Sequence, residues 1–208
     1  FEAALKCIKE EGIETVITTG PPHSTHLVGL KLKEKVKIKW IADFRDPWGE
    51  IYYNKMLYRS DFSKKRDAVM ESNVLEKADH ILTVGPTLCS ILSLKNGDTL
   101  SKNKFSYIYN GYDDSVFSNV TFNKEAKFFT ILHLGVLSDN QPIDGFISAM
   151  SSFLKKNAEA KESVRLKLIG RVSPAIIEKI KTEIPQLNLI VENYIPHQKA
   201  IQEMVNSD

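Results

Sequence analysis

Short β-branched runs alternate with longer segments of helical apolar spacing along this chain, and that alternation limits its fold more than any other feature. Runs at 13–19, 38–44, 79–85 and 105–110 read as buried strands, as do runs at 129–134, 164–169 and 187–191. Between them, apolar residues at helical spacing predict helices opening near residue 24 and at 61–78, 86–95, 143–155, 174–183 and 197–206. Ser24 and Asp61 are the expected caps, Pro86 suits a first helical position, and Asn96-Gly97-Asp98 breaks the helix before it. Strands that alternate with helices of this length predict parallel βαβ units. A polar, patternless stretch at 118–127 reads as a linker. The expected organisation is therefore α/β, with two parallel-sheet domains at 1–120 and 121–208 and a ligand cleft between them.

Composition narrows the function. The 208 residues carry 42% hydrophobic and 26% charged residues, enough for a real core. A formal net charge of only +2 gives no global positive field, so no nucleic-acid partner is expected. The densest basic stretch, Lys31 to Lys39, reads as a solvated helix end or as a peripheral contact with anionic lipid. Cys7 and Cys89 fall within apolar helical patterns and are expected to be buried structural thiols. No apolar run approaches the roughly 18 residues of a membrane span, and no signal peptide is visible, so a cytoplasmic protein is expected. Phe1 opens inside an amphipathic pattern without an initiator Met, and Asp208 follows another, as in a fragment of a longer protein.

Two consecutive strand ends carry the chemistry. Thr19-Gly20-Pro21-Pro22-His23-Ser24-Thr25-His26 follows the first strand, and Asp43-Phe44-Arg45-Asp46-Pro47-Trp48 closes the second. In parallel α/β sheets, ligands bind outside the carboxyl ends of the strands. Gly20 lets the backbone come close to a ligand, and the two prolines stiffen the loop that carries His23. His26 lies in the first turn of the helix that follows, whose free N–H groups favour an anion. Asp46 or Asp43 is suited to removing a proton from a hydroxyl, Arg45 to steadying a phosphate or orienting an Asp, and Trp48 to stacking on a sugar face. The simpler readings are a rigid turn for the first segment and an Asp–Arg ion pair fastening the second. In the second block, Gly135 and Leu168-Ile169-Gly170-Arg171 leave strands in turns where backbone N–H groups and an Arg can meet a diphosphate. His197 opens the last helix. The spacing fits no metal motif, and dehydrogenase, P-loop and hydrolase-elbow signatures are missing.

Taken in order, these blocks resemble glycosyltransferases of the GT-B, family-4-like group. The resemblance rests on the two segments above, on Leu75-Glu76-Lys77-Ala78-Asp79-His80-Ile81-Leu82-Thr83-Val84, and on Tyr109-Asn110-Gly111-Tyr112-Asp113. It continues through Ile131-Leu132-His133-Leu134-Gly135, Leu168-Ile169-Gly170-Arg171 and Tyr194-Ile195-Pro196-His197. It implies two Rossmann-like domains, both incomplete here, and retaining transfer of a sugar from a nucleotide-diphosphate donor to a hydroxyl acceptor. It implies no bound metal or other cofactor. Carried over, Asp46 and Arg45 are catalytic, while Gly20, His23, His26, Asp43 and Trp48 lie on the acceptor side. Gly135, Gly170 and Arg171 lie near the donor diphosphate, and Tyr194, Ile195 and His197 near the nucleobase. Asn140, in Asn140-Gln141-Pro142, stands where relatives often carry an Arg. The implied partners are a nucleotide sugar and a glycan or lipid-linked acceptor at the inner face of a bacterial membrane, in surface-glycan synthesis.

The resemblance also implies that opening strands with a Gly-rich loop, and a later donor-gripping segment with two Glu residues, lie outside this chain. The chain by itself is then expected to be inactive. Two other readings stand beside transfer: a non-catalytic relative that binds a nucleotide sugar or a partner, and a sugar-nucleotide epimerase of the same build.

Overall fold

The run Thr-Val-Ile-Thr-Thr-Gly is rich in β-branched residues, which fit a pleated surface, and it forms the first strand, β1 (Thr15–Gly20). A computed structural model describes the chain except residues 52, 53, 55, 96–101, 119, 124 and 126. The expected break at Asn96-Gly97-Asp98 lies outside the described residues. The chain divides into two compact units, Phe1–Gly111 and Tyr112–Asp208.

In the first unit, β1, β2 (Lys39–Phe44), β3 (His80–Thr83) and β4 (Phe105–Tyr107) form one parallel sheet in chain order. Its helices are α1 (Glu2–Glu11), α2 (Ser24–Lys35), α3 (Asp61–Lys77) and α4 (Pro86–Lys95). In the second unit, β5 (Phe129–Leu137), β6 (Val164–Val172) and β7 (Asn188–Glu192) form a second parallel sheet in chain order. Its helices are α5 (Asp144–Lys156), the single turn α6 (Ala160–Ser163), α7 (Pro174–Glu183) and α8 (His197–Val205). The α/β architecture with two parallel sheets matches the expectation, apart from α6, which is too short to show a helical period.

Each unit has its own core. Trp40, Ala42 and Phe44 alternate along β2 and pack with Val74 and Leu75 of α3, Ile81 of β3 and Leu92 of α4. Phe1, just before α1, and Ala4, Leu5 and Ile8 of that helix join Leu32 and Ile38 in a neighbouring cluster. In the second unit, Leu166 and Leu168 of β6 pack against Ile147, Met150 and Leu154 of α5 and Ile176 and Ile180 of α7. At about 25 cal/mol per Å² of apolar surface removed from water, these clusters are the main force holding each sheet to its helices.

Several local expectations are corrected. The first strand is not buried on both faces: Thr18 and Gly20 are buried while Ile17 is 61% exposed. Its buried residues face His26 of α2: Thr18 Oγ1 is hydrogen-bonded to that ring, and a Cβ on Gly20 would meet it. Ser24 begins α2 without capping it; His23 holds the cap position, with no side-chain cap bond. Ser60, not Asp61, caps α3, its hydroxyl accepting from the Ser63 N–H. Cys7 is exposed, because the neighbouring Ile8 is the buried residue of α1, and Cys89, on α4, is half-buried. The described part of 118–127 is tied down: Gln202 Nε2 donates to the Thr121 carbonyl (2.6 Å), and the Asn123 N–H to Asn206 Oδ1 (2.9 Å).

Candidate functional site

The carboxyl ends of β1 and β2 bring the two motif loops together. The main-chain ladder continues past the strands, with the Arg45 N–H donating to the Gly20 carbonyl (3.1 Å). His23, buried at the start of α2, reaches across to the second loop, where its Nε2 lies 2.9 Å from the Asp46 carbonyl oxygen. A carbonyl only accepts, so His23 carries its proton on Nε2. Its ring stacks on Trp48 with centroids 5.3 Å apart and planes at 21°. Trp48 is buried in turn, and Asn54 Nδ2 donates to the carbonyls of Trp48 (3.0 Å) and Gly49 (3.1 Å). His23 thereby fixes the main chain of Asp46 while leaving its carboxylate uncommitted. Asp46 is half-buried, and its carboxylate makes no hydrogen bond or ion pair among the described residues.

Arg45 is exposed and does not pair with either neighbouring Asp; its Nη2 donates to Asn110 Oδ1 at 2.5 Å. The carboxyl ends of β2 and β4 are thus linked through Asn110, a residue of the Tyr109-Asn110-Gly111-Tyr112-Asp113 segment that carries part of the resemblance. Asp43 is half-buried on β2 in register with Thr19.

His26 lies behind this rim and is fully buried. Its ring stacks on Phe44 (4.4 Å, 24°), and its Nδ1 is 2.8 Å from Thr18 Oγ1, which also accepts from Trp40 Nε1 (2.9 Å). Gly20 is required here, since a Cβ would stand 2.8 Å from His26 Nε2. Burial first, and then the nearby His23, lowers the His26 pKa from 6.5 to about 4. A pKa lowered in the folded state means that the unfolded chain binds the proton first. The stability His26 contributes is therefore whole above pH 6.5 and is lost as pH falls toward 4. The shift corresponds to about 3 kcal/mol. Denaturant titrations across that window should show this loss, and a His26→Gln variant should flatten it; an equally steep slope in the variant would assign the loss to other groups.

A second cluster was missed by sequence reasoning. Lys95 Nζ on α4 lies 2.6 Å from Glu71 Oε2 on α3 and 2.5 Å from Glu50 Oε2 in the loop after Trp48. The Glu71 side chain is only 5% exposed, and burial raises its pKa despite the Lys95 ammonium. The signal was present: Glu71 shares the inward face of α3 with Val74 and Leu75, at the i, i+3, i+4 spacing of a buried stripe. The cluster borders a cavity of about 930 Å³ that is also lined by Arg59, Lys64 and Asp67. An adjoining cavity of about 640 Å³ is lined by His23, Trp48, Arg59, Asp67 and Met70. The Arg59–Asp67 ion pair stands on both walls.

In the second unit, the predicted residues lie at or near the carboxyl ends of the strands. Gly135 and Gly170 are not in turns; they face each other in register inside β5 and β6, with φ of 134° and 122°. A Cβ on Gly170 would stand 2.3 Å from the Gly135 carbonyl oxygen, so the strands pair this closely only because position 170 is glycine; at Gly135 a Cβ would meet nothing within 4 Å, and its φ alone favours glycine. Arg171 is exposed and pairs in register with Val136. Asn140 sits in the turn closed by the Gln141 N–H on the Ser138 carbonyl (3.0 Å). It lines a cavity of about 410 Å³ with Asp139, Asp144 and Lys179. Tyr194 is 86% exposed and Ile195 half-buried in the link before α8, and His197 is the exposed first residue of that helix.

Among the described residues, no group of three or more His, Cys, Asp or Glu side chains is placed to hold a metal ion, and no helix is long and apolar enough to cross a membrane. No protein-family profile and no curated sequence matches the chain. Solved structures do. Over 96% of its length the chain matches TarM, at 16% identity and a TM-score of 0.57, covering 37% of that chain. It matches trehalose-6-phosphate synthase OtsA over 94% of its length at 12% identity and a TM-score of 0.59, covering 50% of that protein. It matches a trehalose-6-phosphate protein from E. coli bound with UDP-2-fluoro glucose over 99% of its length, at 10% identity and a TM-score of 0.61, covering 54% of it. The chain has the GT-B fold. In GT-B terms, each unit is a Rossmann-like parallel sheet, and the chain spans about half or less of the length of the structures it matches.

Proposed function

We propose that the protein is a glycosyltransferase that moves a sugar from a nucleotide-diphosphate donor to a hydroxyl acceptor, with retention at the anomeric carbon. The observation that carries this reading is the uncommitted Asp46 carboxylate, its main chain held by His23, on the carboxyl rim of a GT-B sheet. In this scheme the acceptor hydroxyl gives its proton to Asp46. Its oxygen bonds to the anomeric carbon on the same face that the diphosphate leaves, as the bond from that carbon to the diphosphate oxygen breaks, so the anomeric configuration is kept. Arg45 orients the acceptor-side rim through Asn110, and Trp48 supports His23. Gly135, Gly170 and Arg171 bind the leaving diphosphate, beside Asn140; Tyr194, Ile195 and His197 line the nucleobase. A bacterial, cytoplasmic role in surface-glycan synthesis, at the inner face of the membrane, completes the proposal. Asn140 in place of a phosphate-gripping Arg favours a second reading, in which the protein binds a nucleotide sugar without transferring it.

The test is a thermal-shift panel of UDP, GDP, ADP and CDP with their common sugars. A ligand that binds only the folded state at about a hundred times its Kd stabilises it by roughly 2.7 kcal/mol. Stabilisation by one base family is the expected result and names the base. Transfer to a hydroxyl acceptor then separates the enzyme from the binding protein. No shift with any nucleotide in the complete protein would overturn the donor-site assignment.

A further inference from the structure

We infer that residues 56–69 dock the protein on an anionic lipid surface. Three consecutive residues before α3 turn their side chains to water: Met56 is 57% exposed, Leu57 56% and Tyr58 fully exposed. Phe62 (76%) and Val69 (60%) follow on the helix itself. Scattered apolar residues on a surface are ordinary, but five exposed ones within fourteen positions, three just before the helix and two on it, are a dense grouping of the kind that marks an interaction site.

Helix geometry places the helical members of this group, Phe62 and Val69, on one outward face. Glu71, Val74 and Leu75 are the buried residues of α3. At about 100° per residue, Phe62, Lys65, Arg66 and Val69 fall on the opposite side. Lys65 and Arg66 are exposed and make no ion pair among the described residues, whereas Lys64 is paired with Asp61 (3.2 Å). The outward stripe therefore combines apolar and aromatic side chains with two uncommitted cations. That combination is complementary to a bilayer interface with anionic headgroups, where apolar groups enter the acyl boundary and each Lys or Arg adds attraction. Tyr58, with an apolar ring and a polar tip, suits the same depth.

The basic stretch that drew attention in the sequence is less suited to this task. Lys31 lies over the Phe1 ring (4.3 Å), and Lys33 is bound to Asp79 (2.5 Å) and to the Ile38 carbonyl (2.7 Å). Its apolar neighbours Leu32 and Ile38 are buried in the core, so no apolar face accompanies the charge. At 56–69, Leu57, Tyr58 and Lys64 also line the 930 Å³ cavity, so docking there sets the cavity beside the lipid. Only this last consequence, delivery of a lipid-linked acceptor, rests on the proposed transfer function.

Co-sedimentation with phosphatidylcholine vesicles, with and without phosphatidylglycerol, tests the docking without any activity assay. Binding to the anionic vesicles, weakened by salt, is expected. Lys65→Gln with Arg66→Gln should lower partitioning about 30-fold, from roughly fivefold per charge. Tyr58→Ser with Phe62→Ser should abolish binding, and melting should be unchanged in both pairs because all four side chains are exposed. Lys35→Gln with Lys37→Gln should bind as before. No binding to anionic vesicles, or binding that survives both 56–69 variants, would overturn the inference, as would loss confined to the Lys35/Lys37 variant.

Discussion

Replacing Asp46 with Asn in the complete protein is expected to cut turnover about 10²- to 10⁴-fold while leaving the melting temperature unchanged. The size follows from general-base catalysis, which contributes on that order. The selectivity for turnover over stability follows from the contacts. His23 binds the main-chain carbonyl of Asp46, not its carboxylate, and the carboxylate has no partner among the described residues. Asn keeps the shape and the held main chain and removes only the capacity to take a proton. The effect should therefore fall on kcat, with KM for donor and acceptor little changed. A normal kcat would leave Asp46 as part of the loop and take the base role away from this rim. A parallel fall in melting temperature would make the residue a fastener of the β2 loop.

Replacing Lys95 with Met should destabilise the first unit by about 3–5 kcal/mol, because it strands the Glu71 carboxylate without its cation in a buried site. Equilibrium denaturation measures this, and its pH dependence identifies the cause. Burial already raises the Glu71 pKa above its ordinary 4.5. An acid whose folded-state pKa is raised holds its proton better when folded. Its contribution is whole below pH 4.5 and is lost as pH rises through the raised value. Without Lys95 the pKa climbs further, so the variant's deficit should be smallest in acid and grow toward neutral pH. Adding Glu71→Leu to Lys95→Met should recover most of the loss, since an apolar pair of similar volume can replace a buried ion pair. A flat deficit across pH, or no recovery in the double variant, would show that Lys95 acts through packing. Because Lys95 also holds Glu50, two residues beyond Trp48, the single variant also tests how firmly the candidate site is supported.

Much of this fold was legible in the residues. The α7 helix falls at 174–183 as its Pro and apolar spacing indicate, and β1, β5 and β6 lie where β-branched and other apolar residues cluster. The loops after β1 and β2 stood out because His, Arg, Asp and Trp at two successive strand ends exceed what turns need. The expectations that failed turned either on local loop geometry or on partners far along the chain. Ser24 and Asp61 looked like caps by residue type, but capping is decided by where the preceding loop enters the helix. Gly135 and Gly170 looked like turn glycines; only their register against each other shows that they lie inside paired strands, where a Cβ on Gly170 would strike the Gly135 carbonyl. His26 looked like a rim residue from its place beside His23, yet one further turn of α2 carries it into the core against Phe44.

The sequence by itself determined the elements, their parallel arrangement and the two loops that carry ionisable groups. Periodicity and residue type act locally, within a turn or a strand, and can be read from neighbours in the chain. Tertiary structure alone decided which of those groups stay uncommitted. Asn110 meets Arg45 across 65 positions, and Glu71 and Lys95 meet across 24. His23 spends its proton on a main-chain carbonyl 23 residues away and leaves the Asp46 carboxylate open. Hydrogen bonding and burial depend on distances in space, and these set which carboxylate is free to react and which is locked in the core.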